Sequence, residues 1–161
     1  MIILLILLFV ILAFGFVIIF GAPYLPTMKQ QQLQALELLD LKPGQTMLEL
    51  GSGDGRMLIA AARRGINSVG YELNPILFIV SKIICFKYRK FIKIYYGNFW
   101  HKNWPKAEGI FVFLHPRFMK KLDSAVKEQY ASQSVKLVSY AFKIPGQKPL
   151  KTKNALYLYK Y

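Results

Sequence analysis

The chain has 161 residues, which is enough for one domain with a short appendage but too few for two separate hydrophobic cores. Its 22 Lys and Arg residues against 8 Asp and Glu give a formal net charge of +14, all of it within residues 29–161. This excess fits anionic lipid headgroups, nucleic acid or a solvated basic surface. Cys85 is the single cysteine, so an intramolecular disulfide is excluded. His101 and His115 lack a Cys or carboxylate cluster at ligand spacing, so no metal site is predicted.

The N-terminal segment predicts a membrane anchor. Residues 2–20 are wholly apolar, and about 20 helical residues span the hydrocarbon layer of a bilayer. A cleaved signal peptide fits less well, because no positive charge precedes this long apolar stretch. We therefore expect residues 1–21 to be a single transmembrane helix. Because Lys and Arg favour the cytoplasmic side, the following domain should face the cytoplasm, and the anchor favours lipid over nucleic acid as the anionic partner.

The next segments connect the anchor to the domain. Residues 21–27 contain two prolines and predict an extended link. In residues 28–40 the leucines recur at helical spacing opposite a Gln-rich face, which predicts an amphipathic helix. Residues 22–44 are thus expected to form a linker with one helix, and residues 45–161 the domain.

Strands and helices alternate along the domain. Short apolar runs are separated by helical patterns, which predicts an α/β fold of the Rossmann-like kind, with a mostly parallel sheet and helices on both faces. The predicted strands are residues 46–50, 68–72, 91–96, 109–114, 135–142 and 155–161, and the predicted helices are residues 56–64, 75–88 and 117–130.

The segment with the clearest chemistry is the turn after the first strand, where residues 51–55 read Gly-x-Gly-x-Gly. Glycines there permit positive φ and let the backbone approach a ligand. A dinucleotide motif would have its third glycine at Arg56, and no phosphate-binding loop follows. Glu49 and Asp54 would repel a pyrophosphate but attract a ligand with a sulfonium and an ammonium group.

Two further strand ends predict contacts to a nucleoside. Glu72 closes the second strand about 20 residues after the glycines, where a carboxylate can accept both ribose hydroxyls. A helix-capping or solvated carboxylate is the alternative. Asn98 and Phe99 follow the third strand, where an amide and a ring can bind the edge and face of adenine. The alternative is an Asn turn with core aromatics.

These motifs resemble a known family. Residues 49–56 resemble the first motif of class I S-adenosylmethionine-dependent methyltransferases, and Glu72 resembles their ribose ligand. Residues 70–75, together with residues 23–27 after an apolar helix, resemble the membrane-anchored protein-lysine methyltransferases that act on the ATP synthase c-subunit and adenine nucleotide translocase. The resemblance implies S-adenosyl-L-methionine as cofactor and a lysine of an integral membrane protein as acceptor.

The resemblance also implies a set of cofactor contacts. Asn98 stands where family members more often have Asp, which keeps hydrogen bonding but loses a charge. Tyr24 and Thr27 would close over the cofactor from the linker. The implied cofactor-binding residues are Glu49, Gly51, Ser52, Gly53, Gly55, Glu72, Leu73, Asn98, Phe99, Tyr24 and Thr27.

The acceptor side is less defined by the sequence. Many nitrogen methyltransferases have Asn/Asp-Pro-Pro-Tyr after the fourth strand, whereas this chain has residues 114–117, Leu-His-Pro-Arg. His115 is therefore the candidate catalytic group for handling a proton. Two other acceptors remain open. They are a membrane-dissolved small molecule, such as a quinone precursor or lipid, and RNA bound on residues 91–104, although that stretch also fits an ordinary sheet strand.

Overall fold

A computed structural model describes residues 1–5, 7–8, 11–12, 15 and 25–161. From Lys29 onward, helices and strands alternate as predicted. The α-helices are α1 (Lys29–Leu39), α2 (Arg56–Ala62), α3 (Pro75–Ile84) and α4 (Met119–Gln129). The strands are β1 (Thr46–Leu50), β2 (Asn67–Glu72), β3 (Ile92–Tyr96), β4 (Gly109–Val112), β5 (Lys136–Tyr140), β6 (Lys151–Lys153) and β7 (Leu156–Lys160). Short 3-10 turns cover Cys85–Tyr88, Phe99–His101 and Pro116–Phe118.

One seven-stranded sheet organises these elements in the order β3-β2-β1-β4-β5-β7-β6. Strands β1 to β5 are parallel, because helices or long segments return the chain to the same end of the sheet. The final hairpin is antiparallel, with β7 paired to both β5 and β6. The predicted α/β fold with a mostly parallel sheet is confirmed.

Each face of the sheet is covered by helices and has its own apolar core. On one face α1 and α2 bury side chains such as Leu36 and Leu58 against Phe111 of β4. On the other face α4 and residues 99–107 pack Leu122 and Trp104 against the sheet. The helices thus lie on both faces, as predicted. Burial on both faces explains why β4 is a continuous apolar run, and why β1 is buried from Met47 to Leu50 although it contains Glu49.

Most predicted bounds agree with the structure within two residues, and two elements differ by more. The helix predicted over residues 75–88 ends as α3 at Ile84 and continues as a 3-10 turn to Tyr88. Strand β6 was not predicted, because its sequence Lys-Thr-Lys is short and fully exposed and has no apolar alternation. Pairing with β7 holds it in the sheet.

The predicted anchor falls largely outside the described residues, since 6, 9–10, 13–14 and 16–24 are not among them. In the described part of the chain, no helix has both the length and the apolar character needed to cross a bilayer. The described residues 2–5, 7–8, 11–12 and 15 are helical. The transmembrane helix over residues 1–21 stays a prediction.

Candidate functional site

The predicted site residues on β1 to β4, and in the turns after these strands, lie at the same end of the sheet. Because β1 to β4 are parallel, their carboxyl ends lie side by side in the order β3-β2-β1-β4. The chain order reverses between β1 and β4, and open α/β sheets bind ligands beyond the strand ends at such a switch point. The glycine turn follows β1, Glu72 closes β2, Asn98 follows β3 and His115 follows β4.

The glycine turn is fixed by backbone hydrogen bonds. The N–H groups of Gly51 and Ser52 both donate to the carbonyl of Tyr71, at 3.0 and 2.9 Å, and Gly55 N–H donates to Ser52 O at 2.9 Å. Gly51, Gly53 and Gly55 have φ of +86°, +56° and +82°, which L side chains rarely adopt. The turn therefore needs glycine for its backbone path, and its amides are anchored to β2.

Gly70 and Cys85, which have no predicted role in the site, pack closely behind the turn. A Cβ at Gly70 would lie 2.8 Å from Leu58 Cδ1 and from Ser52 Cβ and Oγ. A Cβ at Gly55 would lie 2.5 Å from Cys85 Sγ, and this thiol contacts Gly55 O at 3.7 Å. The Ser52 side chain thus faces the sheet. A glycine inside a strand often marks close backbone approach, and Gly70 carried that signal.

Glu72 is tied directly to the glycine turn. Its Oε2 accepts from Gly53 N–H at 2.6 Å, and its Oε1 accepts from Asn74 N–H at 2.7 Å. The side chain is 5% exposed, so it is not a solvated surface carboxylate. Burial raises the pKa of Glu72, while the backbone N–H groups of Asn74, Gly53 and Leu73 act in the opposite direction. The carboxylate is therefore oriented before any ligand is bound.

The capping alternative for Glu72 is not what the structure shows. Asn74 is the residue that caps α3, because its Oδ1 accepts from the N–H groups of Ile76 and Leu77. Leu73 is part of this short connection and is half-buried. Asn74 therefore caps α3 with its side chain, while the carboxylate of Glu72 joins the backbone of Asn74 to that of the glycine turn.

Glu49, near the carboxyl end of β1, is a second buried carboxylate beside the glycine turn. Its Oε2 is buried and has no hydrogen-bond partner among residues 25–161. Burial raises the pKa of the Glu49 carboxyl well above its usual range, and repulsion from Asp54 and Glu72 raises it further. An unpaired buried carboxylate is costly unless a donor or a cation is supplied from elsewhere. Its chemistry fits the ammonium group of a methionine-like ligand.

Asp54 does not supply the free negative charge that we expected from the sequence. Its Oδ2 forms an ion pair with Arg56 Nη2 at 2.6 Å, and Arg56 Nε lies 3.0 Å from both carboxylate oxygens. The charge of Asp54 is largely offset by this guanidinium. The attraction that the turn exerts on a cation therefore depends on Glu49 and Glu72.

Asn98 and Phe99 have structural contacts that sequence reasoning left open. The Oδ1 of Asn98 accepts from Trp100 N–H at 3.0 Å and starts the 3-10 turn Phe99–His101. Phe99 is 8% exposed, and its ring centre lies 4.5 Å from that of Trp100. Both residues thus shape the turn and the core. Their contact with adenine stays a prediction.

The remaining predicted residues are placed as follows. His115 is exposed after β4, where its Nδ1 accepts from Arg117 N–H at 3.3 Å and caps the turn Pro116–Phe118. Thr27 is buried, and its carbonyl accepts from Gln32 Nε2 at 2.6 Å. Tyr24 lies outside the described residues. In the described ranges, no three His, Cys, Asp or Glu side chains are grouped to hold a metal ion.

Comparison with protein families and relatives places this geometry in context. The family described as the ANTKMT methyltransferase domain matches residues 49–151. The ATP synthase c-subunit lysine N-methyltransferase of Xenopus laevis is 28% identical over 129 residues, which is 79% of this chain and 56% of that protein. The adenine nucleotide translocase lysine N-methyltransferase of Mus musculus is 29% identical over 131 residues, which is 80% of this chain and 56% of that protein. This chain thus spans about half the length of these relatives.

Solved structures show the same fold. An RNA methyltransferase from Salinibacter ruber in complex with S-adenosyl-L-homocysteine has a TM-score of 0.77 and is 26% identical, covering 85% of this chain and 92% of that chain. A Geobacter sulfurreducens protein with the same ligand has a TM-score of 0.58 and is 18% identical, covering 76% of this chain and 53% of that chain.

Proposed function

We propose that this chain, which belongs to the ANTKMT methyltransferase domain family, transfers the methyl group of S-adenosyl-L-methionine to a lysine of a membrane protein. The observation that carries the proposal is the 2.6 Å hydrogen bond from Gly53 N–H to Glu72, which joins the glycine turn to a buried acceptor at the switch point of the sheet. Relatives named as lysine N-methyltransferases support the acceptor class.

The described residues fit the proposed cofactor. The carboxylate of Glu72 is already oriented by backbone N–H groups and would hold the ribose hydroxyls. Glu49 has the unpaired buried oxygen that an ammonium group would satisfy. The glycine turn would line the ligand, with no Cβ in the way at Gly51 or Gly53. Asn98 would bind the adenine edge through its amide Nδ2, since its Oδ1 accepts from the backbone.

Catalysis then depends mainly on alignment. When bound, the cofactor supplies a methyl group on a sulfonium centre that is already activated for displacement. The chain has to orient a neutral amine in line with that group and keep water out. His115 follows β4 at the same end of the sheet and is the candidate for accepting the amine proton. Its Nδ1 accepts from Arg117 N–H, so the neutral ring carries its hydrogen on Nε2, and Nδ1 is the atom that would take the proton.

We also propose that residues 1–21 anchor the enzyme and that its domain faces the cytoplasm. The support is in the sequence, where residues 2–20 are uninterrupted by charge and the whole +14 follows them. An extended link over residues 21–27 reaches roughly 25 Å at about 3.5 Å per residue. Such a tether keeps the site near the bilayer, where loops of integral membrane proteins are the accessible acceptors.

RNA is the second candidate acceptor. The observation that favours it is the likeness to the Salinibacter ruber RNA methyltransferase, which spans most of both chains. Residues 91–104 carry basic and aromatic residues next to the proposed adenine site. Several of these aromatics belong to the core, including Phe99 and Trp104, so they are not available for stacking on bases.

The test is labelling of isolated membranes with tritiated S-adenosyl-L-methionine by the full chain, followed by separation of protein, lipid and RNA. We expect label in protein, on methylated lysine after hydrolysis. Glu72→Gln should abolish labelling, because a Gln side chain presents one acceptor oxygen to two backbone N–H donors. Glu108→Gln is the matched control. Glu108 also accepts a backbone N–H, from Thr46 at 2.7 Å, but it lies at the amino ends of the strands, away from the candidate site.

The outcomes separate the parts of the proposal. Label that enters only lipid, or only RNA, would support methyltransferase activity but would contradict a lysine acceptor. Equal labelling by Glu72→Gln and the parent chain would contradict the proposed cofactor site. Deletion of residues 1–20 should reduce membrane labelling without changing cofactor affinity, because the anchor supplies local concentration. Undiminished membrane labelling by the truncated chain would contradict the proposed role of the anchor.

A further inference from the structure

The outer side of α3 is an exposed apolar surface. Ile79 and Ile83 lie on this helix and Phe86 lies in the 3-10 turn that follows, at spacings that place them on one side. We call these three residues the α3 outer face. They are 58%, 70% and 63% exposed, although large apolar side chains are normally buried. The buried side of the same segment is formed by Leu77, Ser81 and Cys85.

The chain segment that carries the α3 outer face bears charges of one sign. Residues 73–107 contain no Asp or Glu, so none of the chain's acidic residues lies between Glu72 and Glu108. Arg89 stacks its guanidinium 4.6 Å from the centre of the Phe86 ring, at the border of the apolar residues. The basic residues between residues 73 and 93 are Lys82, Lys87, Arg89, Lys90 and Lys93.

Exposed apolar residues on a segment that carries only basic charges have a specific physical match. A protein partner of ordinary composition presents both signs of charge, whereas an anionic bilayer presents negative headgroups over an apolar interior. Interfacial helices have apolar residues on one side and Lys or Arg beside them, and lie in the plane of the membrane surface. Exposed apolar residues grouped on one side without a partner would favour aggregation.

We infer that the α3 outer face docks on an anionic lipid surface, with Ile79, Ile83 and Phe86 in the headgroup region and the lysines on phosphate groups. Strand β3 is the edge strand next to α3, so this edge of the sheet faces the bilayer. Helix α3 starts three residues after Glu72, so docking brings the candidate site beside the membrane surface. This contact is separate from residues 1–21 and would fix the orientation of the domain on the membrane, which a single N-terminal anchor does not define. The docking itself does not depend on the proposed function, but its role in bringing the active site to membrane acceptors does.

The test uses the full chain in proteoliposomes, with a polarity-sensitive dye on an introduced cysteine at Ile83→Cys. The control is Leu150→Cys, since Leu150 is 64% exposed and precedes β6 at the opposite edge of the sheet. Cys85 is buried, so the parent chain supplies the labelling background. In phosphatidylcholine with phosphatidylglycerol, we expect the dye at 83 to shift to shorter wavelength and to resist quenching by iodide. The dye at 150 should remain accessible to iodide.

Charge dependence completes the test. In phosphatidylcholine alone, or at high salt, protection at residue 83 should be lost. Each of Lys82→Gln, Lys87→Gln and Lys90→Gln should weaken the contact about fivefold, seen as a need for more phosphatidylglycerol. Three results would overturn the inference. They are iodide access at 83 in anionic liposomes, protection in detergent that rises with protein concentration, and protection that needs a co-reconstituted membrane protein. All of these readouts are independent of methyl transfer, so they cannot be confused with failure of the proposed activity.

Discussion

The substitution Gly51→Ala separates the structural and the ligand-binding role of the glycine turn. Gly51 has a φ of +86°, and a Cβ built on it meets no atom within 4 Å. Gly44 has a φ of +87° and equally open surroundings, but it precedes β1 and so lies at the amino ends of the strands, away from the candidate site. Gly44→Ala is therefore a control with the same backbone strain and no access to the candidate site.

The cost in stability should be the same for both variants. An alanine in the left-handed region costs about 1–2 kcal/mol, and the loss of chain freedom in the unfolded state returns about 0.4–1 kcal/mol. Because neither Cβ clashes, we expect each variant to lower the free energy of unfolding by roughly 1 kcal/mol, measured by urea denaturation.

The effect on ligand binding should differ. At Gly51 the methyl group projects into the space that the cofactor is proposed to occupy, so we expect affinity for S-adenosyl-L-homocysteine to fall at least about tenfold, or about 1.4 kcal/mol. Gly44→Ala should bind like the parent chain in isothermal titration calorimetry. Equal affinity in the two variants would refute a cofactor site above Gly51, and a loss of affinity in both would show that the effect is transmitted through stability.

Three further measurements test other parts of the site. Because the pKa of Glu49 is raised and a bound ammonium group favours its ionised form, affinity for S-adenosyl-L-homocysteine should rise with pH until Glu49 ionises in the free chain, and Glu49→Gln should remove this dependence. Gly70→Ala places a methyl group 2.8 Å from Ser52 and Leu58 and should lower the free energy of unfolding by about 1–3 kcal/mol in urea, whereas an unchanged value would mean that the turn relaxes without cost. His115→Ala should slow lysine methylation while cofactor affinity is unchanged, and the loss should disappear at a pH high enough to deprotonate the lysine in solution; an equal loss at that pH would rule out proton transfer by this residue.

Much of the fold could be predicted from local patterns. The boundaries of β1 were predicted correctly, because an apolar run ending at a glycine is characteristic of a buried strand before a ligand-binding turn. The end of α3 was missed because its apolar pattern continues past Ile84, and the change to a 3-10 turn has no local sequence signal. Strand β6 was missed because Lys-Thr-Lys has no apolar alternation, although the two-residue turn Asn154–Ala155 joins it to β7 as a local hairpin.

The candidate site could likewise be predicted only in part, because its positions follow from the sequence but its contacts depend on the folded structure. The position of Glu72 at the end of β2 followed from spacing along the chain. Its partners did not, since the bond to Gly53 depends on how two neighbouring strands are aligned. Similarly, the sequence presents Asp54 and Arg56 as separate charges, and only their side-chain geometry shows that they form an ion pair. The contacts of Asn98 and Phe99 with their own turn were an open alternative for the same reason.

The single cysteine beneath the glycine turn allows transient local opening of that turn to be measured. Cys85 is 3% exposed, and its sulfur packs against the backbone of Gly55. An alkylating reagent can therefore react only during excursions in which the 3-10 turn Cys85–Tyr88 separates from the glycine turn. The rate of thiol modification under native conditions thus gives the opening equilibrium of this part of the chain. Ligands that close the turn should slow the reaction, which provides a screen for binders that needs neither a methyl acceptor nor a radioactive label.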